Sequence, residues 1–401
     1  MYIYKKENMK VPLKVFSKEG SIEPQCLEQM EGVSSLPFLH KHVALMPDGH
    51  LGMGASIGAV VATSNVIVPS LIGVDIGCGI CAVKINQKRE SSEHLKNILS
   101  EIRKAIPVGF NKHKEKQFNF EYFTQARQGG RLPLVCAREA NNAEISLGTL
   151  GGGNHFIEIQ KESDGFRDDG YLWIMIHSGS RNLGKQVAEH YNKIAKQLNK
   201  RWYTSIMAEK NLAFLPIETD ECQDYLREMQ YCLEFALANR KLMMKRILKI
   251  FGYEDDYIQY VLETNMINIH HNYASLENHY GKNVWVHRKG ATSAREGEIG
   301  IIPGSQGTSS YIVKGKGNKE SFMSCSHGAG RTMSRTKAIS NLDLEKEKKA
   351  MDDKGILHTI RGKINLDEAP GSYKNIDTVM DEQKDLVDIV TRLSPLATIK
   401  G

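Results

Sequence analysis

Between Leu51 and Val74 the chain carries no Asp, Glu, Lys or Arg, and the run closes on GVDIGCGIC, Gly73 to Cys81. A run of that length is long enough to cross a bilayer. It therefore decides between a membrane protein and a buried core. Gly52, Gly54, Gly58, Asn65 and Pro69 interrupt it, and its apolar clusters are the short AVVA, VIVP and LIGV. Short apolar runs bounded by turn residues predict buried strands rather than a membrane helix. One carboxylate, Asp75, and one thiol, Cys78, then appear at the end of that core, wrapped in glycine.

The rest of the chain alternates helix and strand signals. Residues 42–84 read as short strands broken by glycine. A helix is predicted over Glu93–Ile106, stopped by Pro107. LGTLGGGNHFIEI reads as a glycine turn entering a strand at Phe156–Gln160, and 171–177 as a buried strand. Val187, Tyr191, Ile194, Ala195 and Leu198 give helical spacing over 185–198; a longer helix covers 222–251. MINIHHNY, NVWVHRKG, IGIIPGS and SYIVKG predict further strands, and SHGAGRTMSRTKA a glycine-rich loop entering a helix. The chain is expected to end in a helical stretch and a short tail, TIKG. Residues 110–145 are polar and irregular, and the basic IPVGFNKHKEK reads as a solvated loop. There is no βαβ rhythm, so the expected fold is α+β, with mixed sheets and flanking helices and no Rossmann or P-loop module.

Seven cysteines at irregular spacing do not make a disulfide framework; they indicate a reducing compartment. MYIYKKENMK lacks the apolar segment of a signal peptide. A net charge of +6 admits an anionic partner without specifying one.

Asp75, Cys78, His155, His177, His271 and His327 are candidate metal ligands, each where a strand-like segment meets a glycine or turn. A lone buried Cys or His needs no metal to explain it; the recurrence of GVDIGCG, GGGNHFIE, HSGSR and HHNY is what points to a site. Cys78 with Cys81 also reads as half a zinc site or a redox pair, although no second ligand pair follows at short spacing. In SHGAGRTMSRTKA, small residues allow backbone N–H groups close to a phosphate, and Arg331, Arg335 and Lys337 follow. His327 there is open to three roles: base, metal ligand or nucleophile. IIPGSQGTSSYIVKG, with Ser305, Thr308, Ser309 and Ser310, offers a second cradle. The P-loop pattern, the Rossmann GxGxxG and the KxDG lysine signature of common nucleotidyltransferases are all absent.

Taken in order, PDGHLGMGASIG, GVDIGCG, LGTLGGGNHFIEI, IMIHSGSR, HHNY, RKGATSA, IIPGSQGTSSYIV and SHGAGRTMSRTKA resemble the RtcB family of RNA-splicing ligases, over nearly the whole chain. The resemblance implies one RtcB-like ligase domain over 1–401, with 110–145 and 200–260 as variable or helical insertions. It implies a cytoplasmic enzyme joining RNA ends with a 3′-phosphate or 2′,3′-cyclic phosphate to 5′-hydroxyl ends, in tRNA splicing or RNA repair. GTP and two Mn²⁺ ions would serve it, RNA would be its partner, and an archease-like protein an activator. By matching motifs, His327 would be guanylylated. Cys78, His155 and His177 would hold one ion, and Asp75, Cys78 and His271 the other. The guanine nucleotide would meet Asn154, His155, Glu158, His271, Asn272, Pro303, Gly304, Ser305, Gln306, Ser310, His327, Gly328, Ala329, Gly330, Tyr373 and Lys400. Arg181 and Arg331 are further candidates for phosphate contacts. The sequence departs from the family pattern at Gly49, Met53 and Gln306, none of them a ligand. A metal-dependent phosphohydrolase acting on RNA ends or nucleotides is the competing reading, and a non-catalytic RNA-binding subunit a third.

Overall fold

The structure is a computed structural model that describes residues 1–88, 90–117, 134–163, 170–204 and 211–401. Two large sheets organise it. The first has six strands in the order β1 (Tyr2–Tyr4), β2 (Leu13–Val15), β3 (Leu39–His50), β4 (Ile57–Thr63), β12 (Lys282–Lys289) and β11 (Asn272–His279). The second has seven, in the order β10 (Ile267–His270), β6 (Gly79–Lys84), β8 (Leu172–Ser178), β7 (Phe156–Glu162), β17 (Val387–Lys400), β15 (Ser310–Gly315) and β14 (Ile299–Ile302). Two small ribbons pair β5 (Val66–Ile67) with β9 (Leu215–Pro216), and β13 (Ala291–Ser293) with β16 (Ser324–Ser326). Among the described strands only β2 and β3 run parallel. Mixed sheets flanked by helices are the expected α+β architecture.

The uncharged run becomes β4, β5 and a turn at Pro69–Leu71. Its lack of charge follows from burial on both faces. Val61 packs with Val43, Leu45 and the helix Pro24–Ser34, while Val60 and Ala62 pack on the other side with Val286 and Phe322. A strand covered on both faces has no position left for a charge. Among the described residues no helix is long and apolar enough to cross a membrane.

The second sheet positions the site by alternation. Cys81, Val83, Ile157, Ile174 and Ile176 pack against helix Ser92–Ala105 and the second half of helix Asp220–Ile250. Side chains one residue out of phase, among them Phe156, Glu158, Met175 and His177, stand on the opposite face. That face packs with Ile301, Ile312 and Leu393 of the same sheet, while Ile302, Tyr311 and Val313, on the other side of β14 and β15, pack with Ala44, Met46 and Val60 of the first sheet.

Three readings change. The chain ends not in a helix and a tail but in β17, seated between β7 and β15. Its register shifts between Pro395 and Ala397, the irregularity at which a proline without an N–H is tolerated inside a sheet. Within 110–145, residues 118–133 lie outside the described residues, but Leu134–Ser146 is a helix. Its first turn is satisfied from elsewhere: Glu228 accepts from Val135 N at 3.0 Å and Cys136 N at 2.7 Å. Lastly, Cys81 is buried in the core against the helices while Cys78 faces histidines, so the CxxC is neither a redox pair nor half a zinc site.

Candidate active site

Every candidate ligand sits at the end of a strand or in the turn beside one. Asp75 and Cys78 occupy the turn into β6, His155 precedes β7, His177 is the penultimate residue of β8, and His271 links β10 to β11. Pairing of β6, β7, β8 and β10 brings these ends to one rim. Cys78 Sγ lies 3.4 Å from His155 Nε2 and 3.3 Å from His177 Nε2. His177 Nε2 is 3.1 Å from His271 Nε2, and Asp75 Oδ2 is 3.3 Å from His155 Nε2. Gly179 is the neighbour that allows this: a Cβ there would stand 2.8 Å from Asp75 Oδ1.

The tautomers follow from the backbone. His155 Nδ1–H donates to Leu150 O and His177 Nδ1–H to Asn154 O, each at 3.0 Å. Their Nε2 lone pairs therefore converge on the Cys78 sulfur, the arrangement of metal-binding imidazoles. An ion holding sulfur at about 2.3 Å and nitrogen at about 2.1 Å in tetrahedral geometry separates the donors by roughly 3.6 Å. The spacing and the donor set both fit a divalent metal. Burial, followed by the Asp75 charge, pushes the Cys78 thiol well up, and burial holds His177 and His271 well below the usual imidazole range. Without a cation the thiol is protonated; a bound cation would hold it as thiolate. His271 Nδ1 is buried and has no hydrogen-bond partner among the described residues. The S, N and carboxylate set suits Mn²⁺, Zn²⁺ or Co²⁺.

His327 stands beside this cluster, its ring 4.7 Å from that of His271. Asp48, fully buried in β3, accepts from His327 N at 3.1 Å and from His327 Nδ1–H at 2.6 Å. The Nε2 lone pair of His327 is thereby left free for nucleophilic attack. Burial raises the Asp48 carboxyl, but the charge and hydrogen bond of His327 outweigh it and the group is held below its ordinary value. Lys374 Nζ donates to Pro47 O at 3.1 Å and Gly49 O at 2.7 Å, fixing the turn that carries Asp48. Gly330 closes over it at φ +74°, where a Cβ would fall 2.3 Å from Asp48 O.

Two cavities meet at His327. The smaller, about 150 Å³, is lined by Asn154, Glu158, Pro303–Gln306, Gly328–Gly330, Tyr373 and Lys400 among others. The larger, about 1020 Å³, holds Asp75, Cys78, His271 and Asn272 at its inner end. Asn154, Ile57, His327 and Arg335 line both. Ser310 lies behind the small pocket: its hydroxyl bonds Gln160 Nε2 at 3.0 Å and Gly304 N at 3.2 Å, shaping the loop from below. Asn272 likewise braces two turns, donating to Asp75 O at 3.1 Å and accepting from Gly290 N at 2.8 Å. Burial raises Glu158 to about 7, against the opposing pull of Lys400 and Gln160. Lys400 is no frayed end: it pairs with Phe156 across the sheet, with its ammonium 5.1 Å from the ring centre.

The two arginines expected near phosphates are engaged internally. Arg181 Nε donates to Thr149 Oγ1 at 3.0 Å, and its guanidinium fills the space where a Gly151 Cβ would stand. Arg331 pairs with Glu368 at 3.1 Å. Sequence reasoning singled out neither Asp48 nor Glu368. Asp48 had a signal, a lone carboxylate in PDGH beside the apolar run. Glu368 had none: it lies in INLDEAP, and only the fold sets it against Arg331, Arg335, Tyr373 and Lys400.

Compared with known proteins, residues 29–401 match the family model described as tRNA-splicing ligase RtcB. The chain is 36% identical to the RNA-splicing ligase RtcB of Escherichia coli (strain K12), over 97% of each chain. It is 32% identical to the tRNA-splicing ligase RtcB of Methanococcus maripaludis, over 99% of this chain and 96% of the relative. The Thermococcus kodakarensis tRNA-splicing ligase RtcB is 30% identical, over 98% and 96%.

Proposed function

The chain belongs to the RtcB family, and on that premise we propose that it is a GTP- and Mn²⁺-dependent RNA ligase, joining 3′-phosphate or 2′,3′-cyclic-phosphate ends to 5′-hydroxyl ends. The whole span 1–401 acts as one ligase unit. Seven free, buried cysteines suit the reducing setting of the cytoplasm.

Asp48 fixes His327 with Nδ1 protonated, so that Nε2 attacks the α-phosphorus of GTP. The Nε2–P bond forms, the bond from that phosphorus to the bridging oxygen breaks, and pyrophosphate leaves. The RNA 3′-phosphate then takes the GMP from His327, and the 5′-hydroxyl attacks the activated phosphate and releases GMP. Metal ions held by Cys78, His155 and His177, and by Asp75, Cys78 and His271, would neutralise phosphate charge. Glu158 as carboxylate accepts the N–H donors of a guanine edge, while Gly328–Gly330 keeps side chains clear of the phosphates.

The observation that carries this reading is the Asp48–His327 bond beside the ligand cluster. A phosphohydrolase needs no oriented nucleophilic imidazole; its nucleophile is water. The test is incubation with GTP labelled at the α-phosphate and Mn²⁺, followed by a denaturing gel. Acid-labile label is expected on the protein and none on His327→Ala. The same variant should still join RNA supplied with a preformed 3′-ppG end. An unlabelled but metal-loaded wild type would overturn the proposal in favour of the hydrolase.

A further inference from the structure

The large cleft runs outward from Cys78, His271 and His327 to a face of helix Asn182–Arg201. Lys193, Lys196 and Lys200 line it, at positions i, i+3 and i+7, which fall on one side of a helix. They span roughly 10 Å of helix axis, over which a stacked strand carries about three phosphates. Lys193 and Lys200 are exposed, and Lys196 is tied only to an amide, Asn211 Oδ1, at 2.6 Å. Among the described residues no carboxylate is paired with any of the three. That sets them apart from most cations near the site: Arg331 and Lys400 are bonded to Glu368, Lys374 to backbone carbonyls. Lys289, which also lines the cleft, donates to Ser70 O at 3.0 Å and to Met53 O.

The lining also includes an apolar set, Ile57, Pro69, Met53 and Val74, beside neutral polar side chains such as Asn192, Gln197 and Asn211 and one carboxylate on the same helix, Glu189. Met53 is 60% and Val74 41% exposed, beside strands that are mostly buried. A cleft that is cationic along one element and apolar along another matches a single nucleic-acid strand, which presents phosphates on one side and flat bases on the other. A double helix does not fit this description, since its bases are already stacked and paired.

We propose that Lys193, Lys196 and Lys200 form a track that holds the phosphates of a single RNA strand as its end enters the site, with Met53 and Val74 receiving its unpaired terminal base. The track accounts for entry of a substrate that Arg181 and Arg331, engaged internally, do not reach out to meet. This rests on the reading of the chain as an RNA ligase.

Its test is a direct binding measurement that needs no turnover. Fluorescence anisotropy of a short labelled single-stranded RNA is recorded with the full chain and Mn²⁺, across a range of salt. K193E/K196E/K200E is compared with K96E/K241E/K282E, which makes the same change in net charge at exposed lysines outside the cleft. The track variant is expected to bind about tenfold more weakly or worse, with a salt slope shallower by about 2, since each single-strand phosphate contact contributes about 0.7. The control should keep the wild-type slope. Unchanged affinity and slope in the track variant would overturn the proposal, as would equal losses in both variants. If the triple reversal does not fold, K193Q/K200Q removes two exposed, unpaired charges and must still reduce the slope by about 1. GTP labelling of the wild-type protein, run alongside, reports on the ligase reading alone. RNA binding lost through the track with labelling absent would sink that reading and leave the track standing.

Discussion

The small pocket and the large cleft share His327, yet they are built from opposite materials. In the pocket, polar groups are buried and already bonded: Glu368 holds Arg331, Arg335, Tyr373 and Lys400, and Gln160 links Glu158 to Ser310. In the cleft, the outer cations are exposed and have no acidic partner among the described residues. Buried, bonded groups select, because a ligand that displaces their internal partners without replacing them leaves them unpaired at a cost of about 1–3 kcal/mol each. Exposed cations attract, and salt weakens them. On the proposed reading the two regions divide the work: one would discriminate the nucleotide, the other would gather RNA ends of many sequences.

The division can be broken from its inner end first. Cys78→Ala removes the sulfur on which His155 and His177 converge. It should lose bound metal by elemental analysis and at least about 10³-fold in ligation. Asp48→Asn should cost on the order of 10³-fold in guanylylation, through the wrong His327 tautomer, and leave joining of preformed 3′-ppG ends much less affected. Metal content unchanged in that variant would separate nucleophile orientation from ligand assembly.

A pH series addresses the pocket alone. Glu158 titrates at about 7 in the free protein and would be needed as carboxylate by guanine, so nucleotide binding lowers its pKa. GTP affinity should therefore be highest above pH 7 and fall as pH drops through 7, approaching tenfold per unit. Calorimetric titration of Glu158→Gln should show that dependence flattened, while RNA binding in the cleft is unmoved. The smallest effect lies outside both regions. Thr219 caps helix Asp220–Ile250 by accepting from Cys222 N at 3.3 Å, and Thr219→Ala should cost about 1 kcal/mol of stability in denaturant unfolding. A change in metal binding or labelling there would show that the site depends on that helix terminus.

The ligand cluster was far more legible in the sequence than its surroundings. Asp75, Cys78, His155 and His177 each lie within two residues of a glycine at the edge of or inside an apolar run, and His271 follows the strand-like INIH, so their chemistry stands out against the background, and the strands bring them together. Glu368 sits among ordinary polar residues, and its four partners come from two other segments and a strand end. The first turn of helix Leu134–Ser146 bonds to Glu228, far along the chain, and such a distant acceptor leaves no local signal in the sequence. The last strand was misread for another reason. Its buried positions Leu393, Pro395, Ala397 and Ile399 are separated from Val387 by five exposed or half-exposed residues and a register shift, which erases a clean two-residue period.

That strand has a consequence for how the enzyme comes into being. β17 pairs with β7 from more than two hundred residues away, and it fills the gap between β7 and β15. Such a pairing closes a very long loop and belongs to the slow, late events of folding. Lys400 arrives with it, as does Thr398, the cross-strand neighbour of Glu158. Insertion of the last strand into the sheet and delivery of Lys400 to the small pocket are therefore one event. A chain caught before it would lack Lys400 at the small pocket, so on the proposed reading nucleotide binding would serve as a check that the last strand has docked.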